Sequence, residues 1–275
     1  GKREHRDFTH TTADSGAAYT HRSSHWLNEF RHKEEASYPT FNGGGVAADD
    51  IDDDGQMDLL LVGGGKNAIF MGLGNGKFQE ITETAGISFQ RSDGTHVEAL
   101  QPILADFDND GQTDILITCA GDDHLIYRNL NGRRFQNVSD LAGLGGEGLV
   151  GGPATVFDFD NDGLLDIYIG YFGNYLEGAI PNWGHDNYNA TPNKLFRNQG
   201  DFRFQDVSSG SGVDDEGWTQ AISHTDFDRD GLQDIVVAND FGRNSLFRNL
   251  GDGTFENVSK KLGLNKYYHS MNVGI

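Results

Sequence analysis

Asp50-Ile51-Asp52-Asp53-Asp54-Gly55-Gln56-Met57-Asp58 is the stretch on which the fold turns. Its pattern, aspartate at positions 1, 3, 5 and 9 with glycine at 6, returns at Asp106 to Asp114, Asp158 to Asp166 and Asp226 to Asp234. The loops start at 50, 106, 158 and 226, so successive intervals are 56, 52 and 68 residues, the long one reflecting an insertion over roughly 173–193. Self-similarity at such a period marks a repeat architecture.

Outward from each loop the same grammar follows. A β-rich run comes first, as in Leu59-Leu60-Leu61-Val62 or Ile235-Val236-Val237. A second strand ends in Arg-Asn at Arg128-Asn129, Arg197-Asn198 and Arg248-Asn249, whereas the first unit reads Phe70-Met71-Gly72. A Gly/Asn/Asp turn leads to a third strand at Phe78, Phe135, Phe204 or Phe255, closed by Gly86-Ile87, Gly143-Leu144, Gly212-Val213 or Gly263-Leu264. With the apolar segment before each loop, such as Gly45-Val46-Ala47-Ala48, each unit has four strands. Four short strands per unit of about 50 residues, without helical periodicity, predict an all-β chain of four-stranded antiparallel propeller blades rather than a β-solenoid.

Four repeats are complete and both ends read as partial blades. Phe8 to Thr12 with Gly16-Ala17 matches a blade's last strand, and Ser270 to Ile275 matches the strand preceding an aspartate loop. The expectation is an N-terminal segment with a linker over 1–40 and repeats over 41–275, cut from a longer, seven-bladed ring. Completion of the last blade by another chain is the alternative.

The aspartates predict Ca²⁺, a hard cation that takes six to eight oxygens. The expected ligands are Asp50, Asp52, Asp54 and Asp58; Asp106, Asp108, Asp110 and Asp114; Asp158, Asp160, Asp162 and Asp166; Asp226, Asp228, Asp230 and Asp234. Backbone carbonyls at position 7 (Gln56, Gln112, Leu164, Leu232) and water complete each shell, giving about four ions. An EF-hand would need glutamate at position 12, where Leu61, Ile117, Ile169 and Val237 stand instead. Metal-free Asx-turns are the structural alternative. Four bare carboxylates within nine residues would repel one another, and Mg²⁺ binds few carboxylates, so calcium is the expectation.

Composition agrees. The formal charge is -21, yet sixteen of the 42 acidic residues are these loop aspartates, and no basic stripe suits nucleic acid. Cys119 is the single cysteine, set in the apolar run Ile115-Leu116-Ile117, and reads as a buried, inert thiol with no intrachain partner. No apolar stretch approaches the ~18 residues of a membrane span. The opening Gly1-Lys2-Arg3-Glu4 is not a signal peptide, which fits either an intracellular chain or a processed, mature one.

These residues resemble the FG-GAP/VCBS repeats of integrin alpha-subunit propellers and many secreted bacterial proteins. The closer resemblance is to the ASPIC/UnbV and cartilage-acidic-protein group. It is carried by Gly43-Gly44-Gly45-Val46-Ala47, by Ala238-Asn239-Asp240-Phe241-Gly242, and by the Leu-Phe-Arg-Asn…Phe-x-x-Val-Ser…Gly-Leu string. The resemblance implies structural Ca²⁺ on the loop aspartates and an extracellular, cell-surface or periplasmic location. It implies no single activity.

Function must therefore come from a site. The insertion, with Tyr175, Trp183, His185 and Tyr188, would suit sugar stacking or a protein partner, or would pack on itself over a blade edge. His21, His25, Trp26 and His32 form a weak transition-metal candidate against a solvated linker. His224 and His269 sit just before ion-loop positions, near the predicted inner strands, and read as channel-lining polar packing rather than as catalytic groups. Sequons stand at Asn137, Asn189 and Asn257. With no nucleophile elbow, phosphate loop or metalloprotease motif, no catalytic residue is assigned. The leading expectation is a secreted calcium-binding propeller that binds protein or glycan partners, with self-assembly open to it. An extracellular polysaccharide lyase or hydrolase, and a structural subunit of an extracellular assembly, are the alternatives.

Overall fold

The computed structural model describes residues 12–22, 44–65, 67–91, 93–173, 187–264, 266–268 and 270–274. Phe8, His25, Trp26, His32, His269 and the insertion residues 174–186 lie outside them.

Alternating apolar runs between glycine-rich turns fold into four antiparallel blades in chain order. Blade 1 is β1 (Val46–Asp49), β2 (Asp58–Leu61), β3 (Ala68–Gly74) and β4 (Lys77–Glu80). Blade 2 is β5 (Glu98–Ala105), β6 (Asp114–Ala120), β7 (Leu125–Asn129) and β8 (Phe135–Asn137). Blade 3 is β9 (Gly151–Phe157), β10 (Asp166–Tyr171), β11 (Lys194–Asn198) and β12 (Phe204–Asp206). Blade 4 is β13 (Thr219–Thr225), β14 (Asp234–Asn239), β16 (Ser245–Asn249) and β17 (Phe255–Asn257). Between β14 and β16, β15 (Gly242–Arg243) pairs with β18 (Tyr267–Tyr268) in a small separate ribbon. The all-β propeller architecture is as expected, and each aspartate loop joins the first two strands of its blade. Residues 270–274 form no strand, though the Ser270 N–H donates to Asn239 O at 3.1 Å.

The segments after each blade depart from the expected strand endings. One-turn helices stand at α1 (Thr12–Ser15), α2 (Ser139–Ala142) and α3 (Ser208–Ser211). Each is closed by a left-handed glycine, Gly16, Gly143 or Gly212, which lacks the Cβ that disfavours that conformation. The Val-Ser motif explains the turn. Asn137, Asp206 and Asn257 accept the N–H of Ser139, Ser208 and Ser259 at 2.9–3.1 Å. The serine hydroxyls in turn accept Ile126, Leu195 and Leu246 N–H at 2.7–2.9 Å, taking over the ladder where the outer strand ends. Two of the three sequon asparagines thus serve as Asx-turn acceptors, and Asn189 accepts the Trp218 indole N–H at 2.9 Å.

The apolar cores lie between successive blades, not inside single sheets. Ile51, Leu60, Ile69 and Met71 of blade 1 pack with Ile115, Ile117, Tyr127 and Phe135 of blade 2. Phe107 and Leu116 pack with Ile167, Ile169 and Phe196, and Phe159 and Tyr168 with Ile235, Phe247 and Phe255. Burial of this kind, at about 25 cal/mol per Å² of apolar surface, makes each blade depend on its neighbour. Cys119 is fully buried in the first of these cores, and burial pushes its thiol well up, as an inert cysteine requires. The N-terminal residues rest on blade 1. Asp14 O accepts from Lys77 Nζ, His21 Nε2 accepts Gly44 N–H at 2.8 Å, and Arg22 O accepts Gly64 N–H at 2.9 Å.

At the end of each blade away from the aspartate loop, one side chain latches the hairpin between the second and third strands. Asn67, Asn193 and Asn244 accept the N–H of Gly63, Tyr171 and Asn239 through Oδ1. In blade 2 the latch is His124, whose Nδ1 accepts Cys119 N–H at 3.1 Å. That bond fixes the tautomer, so Nε2–H donates to Tyr171 Oη at 3.0 Å. Burial first, and the Lys194 charge second, push the imidazole down to about 3 from an ordinary 6.5. Between those values the unfolded chain binds a proton that the folded chain refuses, so stability falls as pH drops through this window. His124→Asn restores the amide used by the other blades and removes the titration. Thermal melts should show a shallower loss between pH 6.5 and 4 than the parent, by about 3 kcal/mol at pH 4. Parallel curves would refute the assignment.

Candidate metal centres

Each loop is built by its own carboxylates capturing backbone N–H groups. The position-1 aspartates, Asp50, Asp106, Asp158 and Asp226, accept the N–H of positions 5 and 6 at 2.7–3.1 Å. The position-5 aspartates, Asp54, Asp110, Asp162 and Asp230, accept the N–H of Gln56, Gln112, Leu164 and Leu232 at 2.8–3.0 Å. Position 6 is glycine because the reversal needs φ between +83° and +91°. Position 4 is also left-handed, and Asp53, Asn109 and Asn161 tolerate it, with Arg229 the departure in the fourth loop.

The position-9 aspartates lie deepest, with Asp58, Asp114, Asp166 and Asp234 fully buried. In each, Oδ2 accepts the position-2 N–H (Ile51, Phe107, Phe159, Phe227) at 2.8–3.0 Å. Oδ1 accepts a third-strand N–H, from Gly72, Asn129, Asn198 or Asn249, at 2.6–2.8 Å. The carboxylate thus ties the loop's beginning to the hairpin behind it.

Carboxylate oxygens converge to within 4.8 Å of one another in every loop: Asp50, Asp52 and Asp58; Asp106, Asp108 and Asp114; Asp158, Asp160 and Asp166; Asp226, Asp228 and Asp230. Positions 1, 3 and 9 therefore meet in three loops, and positions 1, 3 and 5 in the fourth. These clusters could hold a metal ion. The position-3 carboxylates supply the test of fit. Asp52, Asp108 and Asp160 each hold one oxygen, Oδ1, buried with no hydrogen-bond partner among the described residues. The Asp52 and Asp108 side chains are only 9% exposed. A buried carboxylate oxygen without a donor is costly, and a cation at the cluster removes that cost. The crowding shows in the proton affinities. Burial first, with nearby carboxylates adding and backbone N–H bonds opposing, raises Asp58 and Asp234 and pushes Asp114 and Asp166 up to about 7.

The outer oxygens meet arginine. Arg128, Arg197 and Arg248, the arginines of Arg-Asn, pair with Asp108, Asp160 and Asp228 at 2.9, 2.6 and 2.7 Å. The first unit has Met71 at that place, and its Asp52 is served instead by Arg133 of blade 2 at 2.8 Å. The sequence gives no sign of this substitution from a neighbouring blade.

Other candidates resolve more simply. His224 meets Thr155 Oγ1 at 2.7 Å and stacks on Phe157 at 5.0 Å between centroids, and its burial lowers its proton affinity, so it is a packing residue. Sequence reading missed Asp215. It lies beneath a cavity of about 600 Å³ lined by Tyr188, Asp214, Glu216, Arg243, Asn244 and Lys260. Its carboxylate accepts from Gly217 N–H at 2.9 Å, Asn239 Nδ2 at 2.8 Å and Ser245 Oγ at 2.5 Å. Burial raises its pKa against those bonds.

A family model described as FG-GAP-like repeat matches residues 50–117, 106–169 and 226–274. The chain belongs to the FG-GAP-like repeat family. Among curated relatives, human cartilage acidic protein 1 is 27% identical over 215 residues, covering 74% of this chain and 29% of the relative. The mouse protein is 27% identical over 183 residues, 63% of this chain and 25% of the relative. The chain therefore spans about a quarter of the length of these relatives. Among solved structures, an Agrocybe aegerita lectin described as recognising non-reducing terminal N-acetylglucosamine aligns over 78% of this chain and 51% of its own (TM-score 0.45, 20% identity). The V. cholerae biofilm matrix protein Bap1 aligns over 76% and 29% (TM-score 0.36, 17% identity). At these TM-scores neither bears on the reading of this chain. No described helix is long and apolar enough to cross a membrane.

The two kinds of FG-GAP aspartate should respond differently to substitution in EDTA. Asp166→Ala strands two buried N–H groups and should cost roughly 2–4 kcal/mol. Asp160→Asn relieves carboxylate crowding and should change EDTA stability by less than about 1 kcal/mol. Denaturant melts of both variants measure this, and equal losses would refute the division.

Proposed function

We propose that each loop holds one Ca²⁺ and that the propeller is a secreted or surface-exposed module for binding protein or glycan partners. The observation that carries the calcium reading is the set of buried, donor-less Oδ1 atoms on Asp52, Asp108 and Asp160, each beside two further carboxylates. Carboxylates at positions 1, 3, 5 and 9, with the position-7 carbonyls of Gln56, Gln112, Leu164 and Leu232, offer the oxygen-rich shell that a hard cation takes. The ion supplies positive charge that offsets the crowding, and the chain's own residues hold the loop closed around it.

Extracellular Ca²⁺ modules bind at about 10⁻⁴–10⁻³ M. At ~1 mM calcium, mass action gives roughly 0.4–1.4 kcal/mol per site, and roughly 2–6 for four. That is comparable to a domain's whole margin. Cytosolic calcium would leave such sites empty, which supports a location outside the cytoplasm.

The partner site we favour is the cavity at the end of blade 4 opposite the loops. Exposed Tyr188, the described end of the insertion, offers an aromatic face beside carboxylate, amide and basic groups, a mixture suited to hydroxyl-rich or peptide ligands. Asp215, the buried carboxylate of this cavity, is already occupied by three donors, which favours the reading of binding without turnover.

Two outcomes are expected. Calcium at 1 mM should raise the melting temperature over EDTA by about 5–20 °C, with titration calorimetry reporting about four ions. An unchanged melt with no binding heat would remove the calcium reading. In a glycan screen, binding should appear without product and Tyr188→Ala should weaken it at unchanged melting temperature. Product formation would favour the enzyme.

A further inference from the structure

The asparagine of Arg-Asn does more than end a strand. Asn129, Asn198 and Asn249 are at most 1% exposed, and each spans two aspartate loops. Asn198 Nδ2 donates to Phe107 O, at position 2 of the preceding loop, and to Leu165 O, at position 8 of its own, both at 2.9 Å. Asn249 does the same to Phe159 O at 2.8 Å and Gln233 O at 3.1 Å. Asn129 does so to Ile51 O at 3.3 Å and Thr113 O at 2.9 Å. Meanwhile their backbone N–H groups bind the position-9 carboxylates of their own loops.

A continuous hydrogen-bonded chain results. Asp58 holds Ile51 N–H, and Ile51 O receives Asn129, which binds Asp114. Asp114 holds Phe107 N–H, and Phe107 O receives Asn198, which binds Asp166. Asp166 holds Phe159 N–H, and Phe159 O receives Asn249, which binds Asp234. Packing follows the same path, because the position-2 aromatics Phe107 and Phe159 lie against Phe204 and Phe255 of the next blade, each at 6.1 Å between centroids.

We infer that these asparagines are positioning residues that couple the four loops, so that Ca²⁺ bound in one loop raises the affinity of its neighbours. An ion would hold positions 1, 3 and 9 where they already converge in the first three loops, and so would fix the position-2 peptide that the position-9 carboxylate binds. The fixed position-2 carbonyl then orders the asparagine, which presets the position-8 peptide and position-9 carboxylate of the next loop. Ordering already done for one ion need not be repeated for the next, which is positive cooperativity. The first blade shows that the side chain is separable from the ladder. Gly72 stands at the matching position, and its N–H still donates to Asp58 Oδ1 at 2.6 Å with no side chain to bridge.

The inference rests on the calcium reading, and calorimetric calcium titration of the whole chain separates the two. No calcium heat removes that reading, whereas four independent, equal sites would overturn the coupling alone. Expected instead is a cooperative isotherm. Asp108→Ala, a loop-2 ligand with no bond along the chain of asparagines, should weaken the remaining sites by about fivefold or more besides deleting one. In an Asn198→Ala background the same substitution should no longer affect loops 3 and 4. Asn198→Gly, copying the first blade, should behave alike while keeping the backbone bond to Asp166. Coupling that survives both Asn198 variants would overturn the assignment to that side chain. Should neither variant fold, unchanged affinities of the remaining sites in Asp108→Ala alone still refute the proposal.

Discussion

The fully buried position-9 aspartate is the constraint on which the rest hangs. A carboxylate in the interior must have its oxygens answered, and here each of the four accepts two backbone N–H groups from two separate segments. One N–H comes from the start of the loop and one from the end of the third strand, so a single side chain closes the loop and aligns the hairpin behind it. Those bonds alone do not settle the carboxylate, since burial and the neighbouring aspartates still raise Asp114 and Asp166 to about 7. The local fold therefore crowds negative charge at the centre of each loop.

That constraint explains why the repeat is spelled as it is. Glycine at position 6, and Asp or Asn at position 4 of the first three loops, accept the left-handed turns that bring positions 1 and 9 together. In the first three loops the buried residue at position 2 presents its N–H inward and its side chain to the next blade, which makes the loop an interface element as well as a candidate ion site. Arginine then covers the outer oxygens. In the first blade, where Met71 replaces it, Arg133 of the next blade fills the gap, so the requirement is for a cation at that spot and not for one at a given sequence position.

Much of this was legible beforehand, because its signals are periodic. The aspartate spacing, the β-rich runs after it and the Gly/Asn turns each recur four times, and they locate four blades and sixteen loop carboxylates. What escaped was whatever depends on tertiary neighbours. Ser139 and Ser208 read as strand endings, yet their hydroxyls take over ladder bonds and turn the chain into a helical turn. His124 carries no motif of its own. Only its place before β7, matched to Asn67, Asn193 and Asn244, reveals it as a latch. Asp215 was hidden for the same reason, since two of its three donors, Asn239 and Ser245, lie 24 and 30 residues away in the sequence.

The two ends of the blades are under different physical demands. At the loop end, every blade must satisfy the same buried position-9 carboxylate and pack its loop against a neighbouring blade. At the opposite end the latch asks only for one acceptor, which an amide or an imidazole can supply, and the chain between latch and strand is free to lengthen. Blade 3 uses that freedom for the long insertion, and blade 4 for the β15–β18 ribbon and the polar cavity beside it. A scaffold with one end fixed by electrostatics and the other relieved of it concentrates its individuality on the relieved end. The residues that differ from blade to blade gather there, away from the aspartate loops, and that is why the partner site we propose is placed at this end.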